Sequence, residues 1–308
     1  MKSNAKCYLK IVAVMGISLL TAGVTRTGRA QQFTTIDVPA AFGSQTQPFG
    51  INPRGDIVGF YNDSGGNYHG FLLSKGTFTT VDGPGANGTL AYGINPQGDI
   101  VGYYFDSTYY HGFLLSKTGT TNSRFTTFDV PGGEGETFPQ GINPEGDIVG
   151  YYSPPLGGYQ DGFLLRGGQF SIIVPPVGGY DMYLSGINPQ GDIVGTYNVS
   201  NVAIRSFLLS RGSFTTIDVP GTLPGSTIAY GINAKVNIVG EFFNNVGLGV
   251  HGFLLSNGTY TTIDVPAALL GTTQAFAINP RGDIVGTYYD ASFNLHGFLL
   301  SHFSPAPH

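Results

Sequence analysis

The octapeptide NPRGDIVG at residues 52–59 returns letter for letter at 279–286. Each copy contains Arg-Gly-Asp, the tripeptide that animal integrins recognise. The letters are therefore either an adhesion signal or a structural requirement. Three further copies keep the frame and change one letter: NPQGDIVG at 95–102, NPEGDIVG at 143–150 and NPQGDIVG at 188–195. The frame reads as a tight hairpin. Pro is preset for the second position of a type I turn, Asn caps the turn, and Gly supplies the left-handed residue that closes it. The variable slot holds Arg54, Gln97, Glu145, Gln190 or Arg281, so Arg-Gly-Asp arises only where a solvent-facing slot is Arg. The fifth unit reads NAKVN and puts Val236 where Gly belongs. A β-branched residue is disfavoured at positive φ, so Val236 is expected at negative φ in a turn of different geometry.

Around this hairpin lies a repeat. FTTIDVP begins at Phe33 and returns in related form at Phe78, Phe125, Phe170, Phe214 and Tyr260, at intervals of 45, 47, 45, 44 and 46 residues. A GFLL-like segment recurs in step at Phe71, Phe113, Phe163, Phe207, Phe253 and Phe298. Each unit thus holds four short apolar segments bounded by Gly, Pro or Asn, the pattern of one propeller blade. Runs such as IVGFY are apolar on successive residues, as a sheet covered on both faces requires. A β-solenoid is the rival, but its coils run to about 20–30 residues. The expected fold is all-β: a six-bladed β-propeller of four-stranded antiparallel blades. The chain ends on HGFLLS (296–301) with no FTT segment after it. The N-terminal FTTIDVP strand is therefore expected to complete the last blade, leaving no edge unpaired.

Residues 1–30 read as a secretory signal peptide. Lys2, Lys6 and Lys10 precede the apolar run at 11–24, and Gly28 and Ala30 stand at −3 and −1 of the cleavage site. The rest, 31–303, is expected to be one domain with a short tail at 304–308. Cleavage removes Cys7, the single cysteine, and with it any disulfide or thiol chemistry. It also removes five of the 14 Lys+Arg and none of the 19 Asp+Glu, moving the formal charge from −5 to −10. So acidic a chain is a poor partner for nucleic acid or anionic membrane, and no membrane insertion is expected after cleavage.

Catalytic motifs are absent from the sequence. GPGANG at 83–88 has the spacing of a dinucleotide loop but is followed by a strand rather than a helix. The Asp after each hairpin lacks the neighbours that calcium needs. His69, His111, His251 and His296 share one repeat position, held by Asp161 and Arg205 in units three and four, and read as hydrogen-bonding residues at a strand start. No cofactor and no metal site is expected.

With these motifs in hand, the chain resembles the bacterial extracellular repeat proteins of the HAF family. GINPQGDIVG (93–102) followed by HGFLL (111–115) carries the resemblance, with Gly where the family has the Ala of HAF. The resemblance implies export and a propeller, and implies no activity or catalytic residue.

The two connections that vary between units, second-to-third strand and fourth-to-first, belong on the same face of the disc, where function usually resides. The candidate ligand residues there are Tyr68, Tyr110, Glu134, Glu136, Tyr159, Asp181, Tyr183 and Phe293. Aromatic, amide and carboxylate groups suit a glycan or a protein surface. The expected function is a secreted, monomeric, non-catalytic binding module. One alternative is a propeller lyase or glycosidase using carboxylates near the axis, for which Glu134, Glu136 and Asp181 are the candidates. The other is a structural component of a cell surface or matrix.

Overall fold

The computed structural model describes residues 32–301 except 41, 119–121, 134–135, 155–157, 201–202 and 245–248. The expected signal peptide, the tail at 304–308 and Glu134 lie outside the described residues. The chain forms a six-bladed β-propeller, six sheets of four antiparallel strands each. In the first blade Ser44–Ile51 is innermost, followed outward by Ile57–Asn62, Tyr68–Ser74 and Thr77–Val81. The sixth blade runs Gln274–Ile278, Ile284–Tyr289 and Leu295–Ser301, and the N-terminal strand Gln32–Ile36 is its outermost member. Phe33 pairs with Leu300 and Ile36 with Gly297, so the ring closes with chain end against chain end.

The invariant letters do the packing. The Phe of each GFLL segment and the Val of each IVG segment are at most 1% exposed. Each Val lies against the neighbouring blade: Val285 joins Ile36, Ile51, Ile57 and Phe71, and Val58 joins Ala91, Ile100 and Phe113. This explains the unalternated apolar runs, since both faces of every sheet are covered. Burying one such side chain is worth about 1.5–3 kcal/mol before chain entropy is subtracted.

The NPxGD hairpins form the uniform face. Asn52 Oδ1 accepts from the backbone N–H of Arg54 at 2.9 Å and of Asp56 at 3.0 Å. Its amide also reaches across blades. Asn233 Nδ2 donates to the carbonyl of Asn279, Asn279 to that of Asn52, and Asn52 to that of Asn95, at 3.0, 3.2 and 3.3 Å. The tripeptide is folded on itself. Arg54 pairs with Asp56 at 2.9 Å and also donates to the carbonyl of Pro96, while Asp56 is only 7% exposed. Arg281 and Asp283 repeat the arrangement at 2.7 Å. Ser74 Oγ donates to the second oxygen of Asp56 at 2.6 Å. Burial raises the pKa of Asp56, but the bonds from Ser74, Asn52 and Arg54 outweigh it and the net shift is downward. No free Arg-Gly-Asp is presented.

Val236 departs from expectation: its φ is +59°, in the same region as Gly55 at +86°. The frame around it is unchanged. Val236 N–H donates to the Asn233 carbonyl at 2.9 Å, as Gly55 does to Asn52 at 3.0 Å. The asparagine network holds the hairpin closed and the side-chain preference yields. Such a conformation costs about 1–2 kcal/mol for a side chain with a Cβ.

Candidate functional site

Every innermost strand carries a β-bulge at the same repeat position, and Ser44–Ile51 and Tyr180–Ile187 each carry a second irregularity nearer their start. The register slips between Pro48 and Gly50, Ala91 and Gly93, Pro139 and Gly141, Leu184 and Gly186, Ala229 and Gly231, and Ala275 and Ala277. The extra residue in each case precedes the GIN or AIN motif: Phe49, Tyr92, Gln140, Ser185, Tyr230 and Phe276. A bulge bends the strand and re-aims one side chain, and here all six line the axis. The Gly of IVG makes this possible. A methyl group at Gly59 would overlap the carbonyl oxygen of Gln47, and at Gly286 that of Gln274.

Above this ring, toward the variable loops, lies a cavity of about 420 Å³. A smaller one of about 90 Å³ continues below it, lined by the six bulged residues and the GI or AI pairs that follow them. The bulge ring is thus the floor of an axial well. Four of its members form a continuous aromatic arc: ring centroids are 5.1 Å apart for Tyr230 and Phe276, 4.4 Å for Phe276 and Phe49, and 4.7 Å for Phe49 and Tyr92. Gln140 and Ser185 complete the circle with polar groups.

The next tier comes from the residue after each IVG: Phe60, Tyr103, Tyr151, Thr196, Glu241 and Thr287. It is two-sided. Blades one to three supply aromatic rings, and blades four to six supply hydroxyls and one carboxylate. Glu241 is 4% exposed. Its Oε1 accepts from the Tyr230 hydroxyl at 2.9 Å, and its Oε2 accepts from Gln274 Nε2. Gln274 Oε1 in turn accepts from the Thr287 hydroxyl at 3.3 Å. Burial pushes the pKa of Glu241 up, although both of its hydrogen bonds oppose the shift. Burial and the neighbouring carboxylate push that of Tyr230 well above the ordinary tyrosine value.

Three of the sequence candidates, Tyr68, Tyr110 and Tyr183, stand between the loop face and the well. Tyr68 packs edge-on against Phe60 at 5.7 Å, Tyr110 against Tyr103 at 5.9 Å, and Tyr183 against Tyr151 at 4.9 Å. These three tyrosines connect the loop face to the well through ring contacts, and Tyr183 lines the well itself. Tyr159 is exposed and packs on Tyr180 at 4.6 Å, so the two form a separate aromatic pair. Phe293 is 74% exposed in the 290–294 loop, with φ +63°. Asp181 ties the connection before Asp161 to the strand Ile193–Ser200: Oδ1 accepts from the Gln160 N–H at 3.0 Å and Oδ2 from Asn198 Nδ2 at 3.1 Å. Glu136 bridges in parallel to Tyr110, which places the two variable connections side by side on one face.

The repeated histidines are clasps. His69 Nδ1 bonds Asp82 at 3.0 Å, its Nε2 lies 3.4 Å from Asp63, and its ring stacks on Tyr61 at 5.4 Å. His296 is held likewise by Asp37 and Asp290. His111 and Asp129, and His251 and Asp264, repeat the first contact at 3.0 and 2.8 Å. These bonds fix a variable loop to the end of an outermost strand. No group of three or more His, Cys, Asp or Glu among the described residues could hold a metal ion.

No protein-family model matches the sequence, and none of the curated proteins does. Solved structures resemble the fold. AofleA from Arthrobotrys oligospora is 12% identical, with 94% of this chain and 92% of that one covered at a TM-score of 0.58. A fucose-specific lectin from Aleuria aurantia is 13% identical, with 88% and 100% covered at 0.51. A Trypanosoma rangeli sialidase is 9% identical, with 96% and 59% covered at 0.50. At these identities the likeness is one of fold.

Proposed function

We propose that this chain is an exported, non-catalytic propeller that binds carbohydrate on its variable-loop face. The observation that carries the reading is the axial well with Tyr68, Tyr110 and Tyr183 at its rim. Aromatic rings interspersed with hydroxyl and amide groups line the well, and together they match the apolar face and hydroxyl edges of a sugar ring. The fucose-specific lectin of similar fold agrees by analogy, which is a weaker warrant than the site. Support for a non-catalytic role comes from the carboxylates: Glu241 is the single one in its tier, and Asp181 is engaged by Gln160 and Asn198. Paired carboxylates about 5–10 Å apart, as glycoside hydrolysis requires, would have to come from elsewhere. The N-terminal 30 residues and the resemblance to HAF repeats support export.

A glycan array on the mature protein, followed by titration of two sets of alanine variants, tests the reading. Substitutions at Tyr110, Tyr159, Asp181 and Tyr183 are expected to weaken binding several-fold, at about 1–2 kcal/mol for a stacking aromatic. Substitutions at Arg54, Gln97 and Arg281 are expected to leave it unchanged. Loss from the second set with the first set silent would overturn the face assignment.

A further inference from the structure

The well's electrostatics restrict what it can hold. None of the described residues lining the upper cavity is Lys, Arg or His, and none is Asp or Glu. Behind the wall sits Glu241, with no cationic partner among the described residues: Tyr230 and Gln274, both neutral donors, each take one of its oxygens. Acidic groups on a ligand would therefore be desolvated against neutral walls, with a carboxylate nearby and no counter-charge. An ammonium group meets the opposite obstacle. The carboxylate that would attract it is already doubly bonded and lies behind the side chains that bond it. What remains on offer is neutral: the second N–H of Gln274, the lone pairs of the Tyr230 oxygen, the hydroxyls of Ser185 and Thr196, and the amide of Gln140. Size adds a second restriction. About 420 Å³ lies near the lower end of ligand clefts, which run from roughly 300 to 1,000 Å³.

From these observations, and resting on the carbohydrate reading above, we infer that the axial well takes one terminal, uncharged pyranose unit. The sugar's apolar face lies toward Tyr151 and Tyr183, and its hydroxyls lie toward Thr196, Ser185 and Gln274. The remainder of a longer glycan leaves over the rim. Glu241 is a positioning residue. By accepting from Tyr230 and Gln274 it leaves the former's lone pairs and the latter's free N–H for the ligand.

The protein's own repeat supplies the variant that tests this. Thr196 and Tyr151 occupy the same tier position in adjacent blades, so Thr196→Tyr places in blade four the residue that blade three already carries. The added ring fills the well without new chemistry in the blade. Methyl glycosides of glucose, galactose and mannose, together with glucuronate, galacturonate and glucosamine, would be titrated calorimetrically into the mature protein at pH 7.4. At least one neutral glycoside is expected to bind, with the uronate and amine analogues weaker by roughly tenfold or more. Thr196→Tyr is expected to abolish that binding with a melting temperature close to the parent's. If Thr196→Tyr does not fold, Ser185→Phe serves instead, because Phe49 and Phe276 hold the equivalent ring position.

Binding of a uronate or of glucosamine as tight as that of the neutral sugar would overturn the inference. So would unchanged binding in the filled variant, or no monosaccharide binding at tens of millimolar. A positive array whose binding survives Thr196→Tyr would sink the well as the site and leave the carbohydrate reading standing. A negative array together with silent titrations would sink both.

Discussion

The Tyr230 hydroxyl donates to Glu241 Oε1 at 2.9 Å, joining the bulged residue of blade five to the residue after IVG on the paired strand. The bond holds a carboxylate behind the wall of the axial well, on the neutral donors Tyr230 and Gln274. Its consequences are thermodynamic as well as functional. Burial raises the pKa of Glu241 above the ordinary value of 4.5 in the folded protein. A carboxyl whose folded pKa is raised binds its proton more tightly in the native state. Its stabilising contribution is therefore complete below the unfolded value and is lost as pH rises through the folded one.

Glu241→Gln removes that loss. A glutamine can still accept from Tyr230, and Gln274 can reverse its amide to accept from the new side chain. The melting temperature of the variant relative to the parent should therefore rise between pH 4.5 and neutrality. A difference that stays constant across pH 4–8 would mean that Glu241 does not titrate with a raised pKa.

Val236→Gly should stabilise the protein. Val236 sits at φ +59°, where a residue with a Cβ is worse than glycine by about 1–2 kcal/mol. Glycine gives back part of this through the greater freedom of the unfolded chain, about 0.4–1 kcal/mol. The expected net gain is up to about 1.6 kcal/mol by denaturant unfolding, at a half-exposed position where most substitutions are neutral or harmful. A destabilised Val236→Gly variant would contradict the shared hairpin geometry.

A protein begun at Ala40, without residues 31–39, has an open sixth blade. Ile36 and Val38 are 5% and 6% exposed, Phe33 packs on Phe298 at 5.8 Å, and Thr35 bonds the Tyr288 hydroxyl at 2.9 Å. Two buried apolar side chains at about 1.5–3 kcal/mol each, with the partly buried Phe33 beside them, are a large share of the 5–15 kcal/mol that keeps a typical domain folded. The truncated protein should melt markedly lower or aggregate through the exposed edge of Leu295–Ser301. Unchanged melting would contradict closure of the ring by the N-terminal strand.

The fold was legible because invariance marks contact. The Val of IVG and the Phe of GFLL recur in every unit, and the structure buries each of them between blades. The hairpin was legible because Asn, Pro and Gly have distinct roles in a turn. Its one misreading, Val236, came from weighing a local preference without the cross-blade bonds of Asn233 and Asn279. The well was not legible. Phe49 and its equivalents vary within a constant motif, as does the turn slot of Arg54, and only the bulge distinguishes an axial position from a solvent position. Inserting a residue changes the alternation on which a face assignment depends. Glu241 did leave a signal: it is a charge inside the apolar run NIVGEFF, and a polar group amid buried residues is the informative exception. The His clasps left one too. Unit three loses the histidine at Asp161 and the strand-end aspartate at Val174 together.

The central claim is that the axial well, above the bulge ring, is where this propeller meets its ligand. A diffraction structure of residues 31–308 crystallised with the best neutral glycoside tests it most directly. The account predicts density for one sugar ring above Phe49 and Ser185, within hydrogen-bonding distance of Gln274 and Thr196. Density confined to grooves between blades at the periphery, or to the hairpins of Arg54 and Arg281, with the well unoccupied by sugar, would contradict it.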